Sequence, residues 1–75
     1  MKLPHDVLKA DAERCMREVS MALHFRAYSS AMAHVNVCAQ KIIECGDPER
    51  DAELLKFVNN MGTSILNMRQ FDQDR

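Results

Sequence analysis

His34, Cys38 and Cys45 fall along one helical line, at spacings of four and seven residues. A histidine and a thiolate at i and i+4 can both reach one zinc ion, but tetrahedral zinc needs further ligands. Cys45 lies about 10 Å along the helix from Cys38 at 1.5 Å per residue, so it joins only if the helix unwinds. Cys15 belongs to a separate apolar face. The expectation is therefore no metal site, with Cys38 a small residue at the core edge, as free cysteines commonly are. If these residues have a chemical use, it is a thiol- or metal-responsive switch built on Cys38 and Cys45.

His5 and Asp6 are adjacent near the start of the chain. A catalytic His–Asp pair needs a nucleophile and a cleft. Asp6 is better read as a helix-start carboxylate, placed to meet the exposed N–H groups of a first turn. Cys15, in an apolar setting, is expected to be an inert thiol. Lys9, Arg14 and Arg17 put positive charge on the same segment, but Asp6, Asp11, Glu13 and Glu18 interleave with them. Pairs such as Glu13 with Arg17, four apart, are the ordinary explanation of such a face.

The net charge of −1 argues against non-specific nucleic-acid binding, which needs a basic footprint. A nucleic-acid-binding regulator would have to assemble its basic residues by dimerising. No phosphate-binding loop, dinucleotide glycine pattern, Cys-x-x-Cys or EF-hand loop occurs, so no cofactor, no catalytic residue and no enzymatic activity are expected.

These residues must be positioned by helices. The 75 residues suit one domain, and two glycines and two prolines are few. With six Met, three Phe and no Trp, the core is an adaptable one of Met, Leu, Ile and Ala. Within "ECGDPERD", Gly46 can end a helix in the left-handed conformation, Asp47 can cap the next, and Pro48 suits its first position. So short a connection makes the flanking helices antiparallel.

Downstream, Leu54, Val58, Met61, Ile65 and Met68 recur at alternating spacings of four and three. With Leu55, Gly62 and Leu66 on one flank and Phe57 and Phe71 on the other, the apolar arc spans roughly 220° at 100° per residue. One neighbour cannot cover it. Gly62, inside the seam, reads as a point of close helix approach.

Upstream, Leu8, Ala12, Cys15, Met16, Val19, Ala22 and Leu23 share one face. Tyr28, Ala31, Met32, Val35, Cys38, Ala39 and Ile42 share another. On one continuous helix the two faces would point about 160° apart. A turn within His24–Ser30, with Ser29 or Ser30 capping the next helix, returns both to one core. The rival is an unbroken helix whose first half packs on a second chain.

The expected fold is all-α: a small bundle of three helices at about 5–24, 29–45 and 48–70, the last two an antiparallel hairpin. The alternative is one long helix, 5–45, plus helix 48–70 in an intertwined dimer. Residues 1–75 form a single helical domain, with 1–4 and 72–75 expected to fray.

Val7, Ala10, Met21 and Phe25, with Arg14 among them, form a second stripe away from Leu8 and Val19. Met, Phe and Arg are enriched in interfaces. Phe25 can instead turn inward at the bend, onto Met68 and Phe71. The expected partner or dimer surface is Val7, Arg14, Met21, Phe25, Phe57, Met68 and Phe71.

A chain this short is near the lower limit for folding alone, which favours assembly, most simply a homodimer. No apolar run approaches the ~20 residues of a spanning helix. The start lacks an apolar signal region, and three cysteines without framework spacing fit a reducing compartment. The expectation is a cytoplasmic interaction protein, such as an adaptor, inhibitor or regulatory subunit.

Overall fold

The computed structural model describes residues 1–74 and holds three helices: α1 (His5–His24), α2 (Tyr28–Cys45) and α3 (Ala52–Gln73). The chain runs up, down and up, so α1 and α3 are parallel. Each is about 30 Å long at 1.5 Å per residue, and the molecule measures 43 × 19 × 15 Å. None of the described helices is long and apolar enough to cross a membrane.

The chain breaks where the apolar stripe changes sides. Arg26 takes φ 56°, the only positive φ among the described residues. The Ala27 N–H donates to Ala22 O at 2.8 Å, and the Arg26 N–H donates to Leu23 O at 3.0 Å. Those two bonds around a left-handed residue make a Schellman motif, usually built on glycine. Ser29 and Ser30 do not cap α2: its N-cap is Ala27, with no side-chain cap bond. The turn closes from the α1 side, so no N-cap serine is required.

The second break also differs from expectation in mechanism. Gly46 has φ −98° and ψ 178°, which any residue can adopt. It is glycine for space: an added Cβ would lie 2.4 Å from Ile42 O, 2.8 Å from Asp51 Oδ2 and 3.2 Å from Leu8 Cδ1. Asp47 does act as a cap, its Oδ1 accepting from the Glu49 and Arg50 N–H groups at 2.9 Å each. The cap opens a single turn over 48–51, and α3 begins only at Ala52.

The core is one layer deep. Leu8, Ala12, Cys15 and Val19 of α1 meet Ala31, Val35, Cys38 and Ile42 of α2, and Val58 and Ile65 of α3. These come from the three predicted faces. Gly62 is buried, where an added Cβ would meet Val35 Cγ1 at 3.4 Å, so the helices do approach closely there.

Described residues near both ends of the chain are hydrogen-bonded to the bundle. The Leu3 N–H donates to Cys45 O at 2.7 Å, and Lys2 Nζ to Gly46 O at 2.7 Å. At the other end, α3 runs past residue 70, and Asp72 accepts hydrogen bonds from Tyr28 and Arg26. Arg75, within the tail expected to fray, lies outside the described residues.

Candidate functional site

α2 packs along both of its neighbours, whereas α1 and α3 touch far less. Two polar ties hold α1 and α3 together, one at each end. His5 Nδ1 meets Asp51 Oδ1 at 2.6 Å, and Arg26 meets Asp72 at 3.5 Å. Both ties join residues 46 apart in sequence. Residue n of α1 is therefore level with residue n + 46 of α3 over the whole length. Between the ties the two helices leave an open apolar groove.

The groove consists of two adjoining depressions of about 490 and 280 Å³ that share Met16 and Phe57. The first is bounded by His5, Lys9, Glu13, Glu53 and Leu54. The second is floored by Val19 and Ile65 and edged by Ser20, Leu23, Asn60, Met61 and Ser64. Met16 and Phe57 stand in the middle, 42% and 40% exposed. The wide arc of α3 has its explanation here: α2 covers one side of it and α1 only the inner edge of the other.

The seven residues of the expected surface do not form one surface. Phe57 lines the groove, and Met68 and Phe71 continue its α3 side past Leu23 toward Asp72. Val7, Arg14, Met21 and Phe25 lie around the back of α1, away from it. Phe25 does not turn inward: it is 72% exposed, its ring edge-on to His24 at 5.2 Å. The Schellman turn ends α1 before Phe25 can reach the core. Arg14 is engaged with Asp11 at 3.0 Å.

Met16, assigned to the α1 core stripe, is instead exposed, while Leu54 and Met61 of the α3 seam pack against the core as expected and also line the groove. The sequence pattern signals this exposed edge only through the α3 arc, too wide for one neighbour to cover. The sequence reading also missed Val37 and Ile43, 70% and 60% exposed on α2.

The candidate chemical residues are dispersed. His34 Nδ1 pairs with Glu18 at 3.0 Å. Cys38 is buried on the α1 side of α2, neighbouring Cys15, and Cys45 sits at the far end of α2. Cys15 donates to His34 O at 3.4 Å. Burial, reinforced by the neighbouring Cys38, pushes the Cys15 thiol up to about 11. Burial raises Cys38 as well. Among the described residues no group of three or more His, Cys, Asp or Glu is placed to hold a metal ion.

A His–Asp pair does exist, but with Asp51 rather than Asp6. Asp51 is the one buried charged residue of the core among the described residues. Arg50 grips its carboxylate through Nε at 3.2 Å and Nη2 at 2.8 Å, and the Asp47 N–H donates to Oδ2 at 2.7 Å. Arg50, then His5, hold the carboxyl well below the usual carboxylate range. Arg50 Nη2 also donates to Leu3 O at 2.6 Å. The cluster pins the start of α1, the chain start and the α2–α3 connection to one point. The depression beside His5 contains no serine, threonine or cysteine to serve as a nucleophile.

The chain is thus a three-helix up-down-up bundle with one side unfilled. Comparison with protein-family profiles, with curated proteins and with solved structures returned no match.

Proposed function

We propose that this protein is a small, non-catalytic interaction module whose recognition surface is the groove between α1 and α3. The observation that carries the reading is the exposure of Met16 and Phe57 in the middle of that groove, above a floor of core residues. Parallel helices tied only at their ends leave a furrow between them into which side chains of another helix can interdigitate. Methionine re-packs around whatever enters, and phenylalanine supplies rigid area, the combination used in helix-in-groove recognition. The serines and asparagine at its edge satisfy themselves in water when the groove is empty.

A photo-crosslinking residue placed at Phe57 tests this in cells that make the protein. The expected result is a polypeptide adduct of discrete mass from position 57 and none from Thr63, on the solvent side of α3. Equal background labelling at both positions refutes the groove as a recognition surface.

A further inference from the structure

We infer that the groove is filled by a second copy of this chain, the two α1–α3 faces packing antiparallel about a twofold axis that crosses the helices at mid-height. The inference rests on the groove being the recognition surface and names what occupies it.

Area is the first argument. A folded monomer of 8.6 kDa exposes about 4,700 Å² by the usual scaling with mass. This chain exposes 5210 Å², about 500 Å² more than expected for its size. Two helices each about 10 Å wide and 30 Å long offer a footprint of about 600 Å² per protomer. The total, about 1,200 Å², reaches the lower bound of a specific, stable interface.

Charge register is the second. The end ties define the full-length overlap, from the level of His5 to the level of Arg26. With the axis at its middle, residue n of α1 faces residue 31 − n of the other α1. Glu13 then falls within one residue's rise, about 1.5 Å, of Arg17 of the second copy, and the contact occurs twice by symmetry. Both residues are exposed, and neither has an ion-pair partner among the described residues; the Glu13–Arg17 pair expected within α1 does not form. On α3, the same axis sets Glu53 level with Gln70, Lys56 with Asn67, and Phe57 within two residues of the small Ser64. The residues directly level with Glu13 and Arg17 in this register, Glu18 and Arg14, sit on the α2 side of α1, where Glu18 pairs with His34 and Arg14 with Asp11, so no like charges meet along the groove edges.

Helix polarity is the third. Because α1 and α3 are parallel, their macrodipoles add, and an antiparallel second copy opposes them where a parallel one would double them.

The test is sedimentation equilibrium of the purified chain across a concentration series, for wild type, Glu13→Arg, Arg17→Glu and the double variant. Helix content and melting are followed by circular dichroism to confirm folding. Wild type is expected at twice 8.6 kDa. Each single variant should weaken the dimer roughly 5- to 30-fold, the cost of two rim pairs. The double variant should recover to within about threefold of wild type, because the swapped charges meet again only across an antiparallel α1–α1 contact.

A monomer at every concentration overturns the inference, as does a dimer indifferent to the single swaps or not restored by the double. The groove reading is judged separately at position 57. In a monomeric protein, an adduct there with a different polypeptide leaves that reading standing, while no specific adduct removes both.

Discussion

Two glycines of this chain should respond to the same substitution with opposite signs, for reasons of space alone. At Gly46 an alanine Cβ would fall 2.4 Å from Ile42 O and 2.8 Å from Asp51 Oδ2. Neither neighbour can yield easily. Ile42 O is backbone and accepts the Gly46 N–H at 2.8 Å. Asp51 is fixed by His5, Arg50 and the Asp47 N–H. A third contact, Leu8 Cδ1 at 3.2 Å, belongs to a fully buried side chain. Overpacking of this kind costs about 1–3 kcal/mol. With two contacts under 3.0 Å the upper part of that range, about 2–3 kcal/mol, applies. At Gly62 the new methyl would meet Val35 Cγ1 at 3.4 Å and Met32 Cε at 3.8 Å, ordinary packing distances. Alanine is favoured over glycine inside a helix by about 1 kcal/mol, so Gly62→Ala should stabilise by about 0.5–1 kcal/mol. In a chain of this size 1 kcal/mol moves Tm by about 4–8 °C. Gly46→Ala should therefore melt roughly 10–20 °C lower than wild type and Gly62→Ala a few degrees higher. Thermal and urea unfolding at one fixed protein concentration measures both, which removes any shift from assembly. A neutral Gly46→Ala, or a Gly62→Ala that loses more than about 1 kcal/mol, would refute the packing described for these two sites.

Arg26→Gly should raise stability by about 0.5–1 kcal/mol, since glycine adopts the left-handed φ freely while the exposed 3.5 Å pair with Asp72 contributes little; urea unfolding checks the sign. The depressed Asp51 carboxyl stabilises the fold fully above its unfolded pKa, near 4. That stabilisation drains away as pH falls below about 4 through the lower folded value, so Asp51→Asn should be less stable at pH 7 and show a flatter loss on acidification. The raised Cys15 thiol works in the other direction. Its contribution is complete below the unfolded thiol pKa and is lost as pH rises from about 9 toward 11, so unfolding at constant urea should become easier over that interval. Under native conditions at pH 8, Cys45 should be alkylated well before Cys15 and Cys38, read by mass spectrometry; equal rates would contradict the burial of the α1–α2 pair.

The groove was only half legible in the sequence. Phe57, Met68 and Phe71 could be placed on the α3 flank from periodicity, and the roughly 220° arc required more than one neighbour. Periodicity assigns each residue to a face of its own helix, however, not to the gap between two helices. Met16 therefore read as core, although α1 and α3 stand too far apart to cover it, and Leu54, which does pack against the core, gave no sign that it also lines a groove. The same blindness merged the back of α1, with Val7, Met21 and Phe25, into one surface with α3. Asp51 was invisible for a related reason: its partners His5, Arg50 and the Asp47 N–H converge from three stretches of chain.

Local chemistry written in the sequence determined the three helices, their apolar faces and the sharp connection at Asp47. Spacing, capping and propensity act within a few residues and need no fold to operate. The break at Arg26 was signalled only by the stripe changing sides, because the left-handed position carries arginine where glycine would have announced it. Tertiary structure alone decided that α1 and α3 lie parallel and in register at an offset of 46 residues, and that they stay apart between their end ties. That choice depends on how the volumes of side chains thirty or more positions apart fill the space beside α2, and no local pattern encodes it.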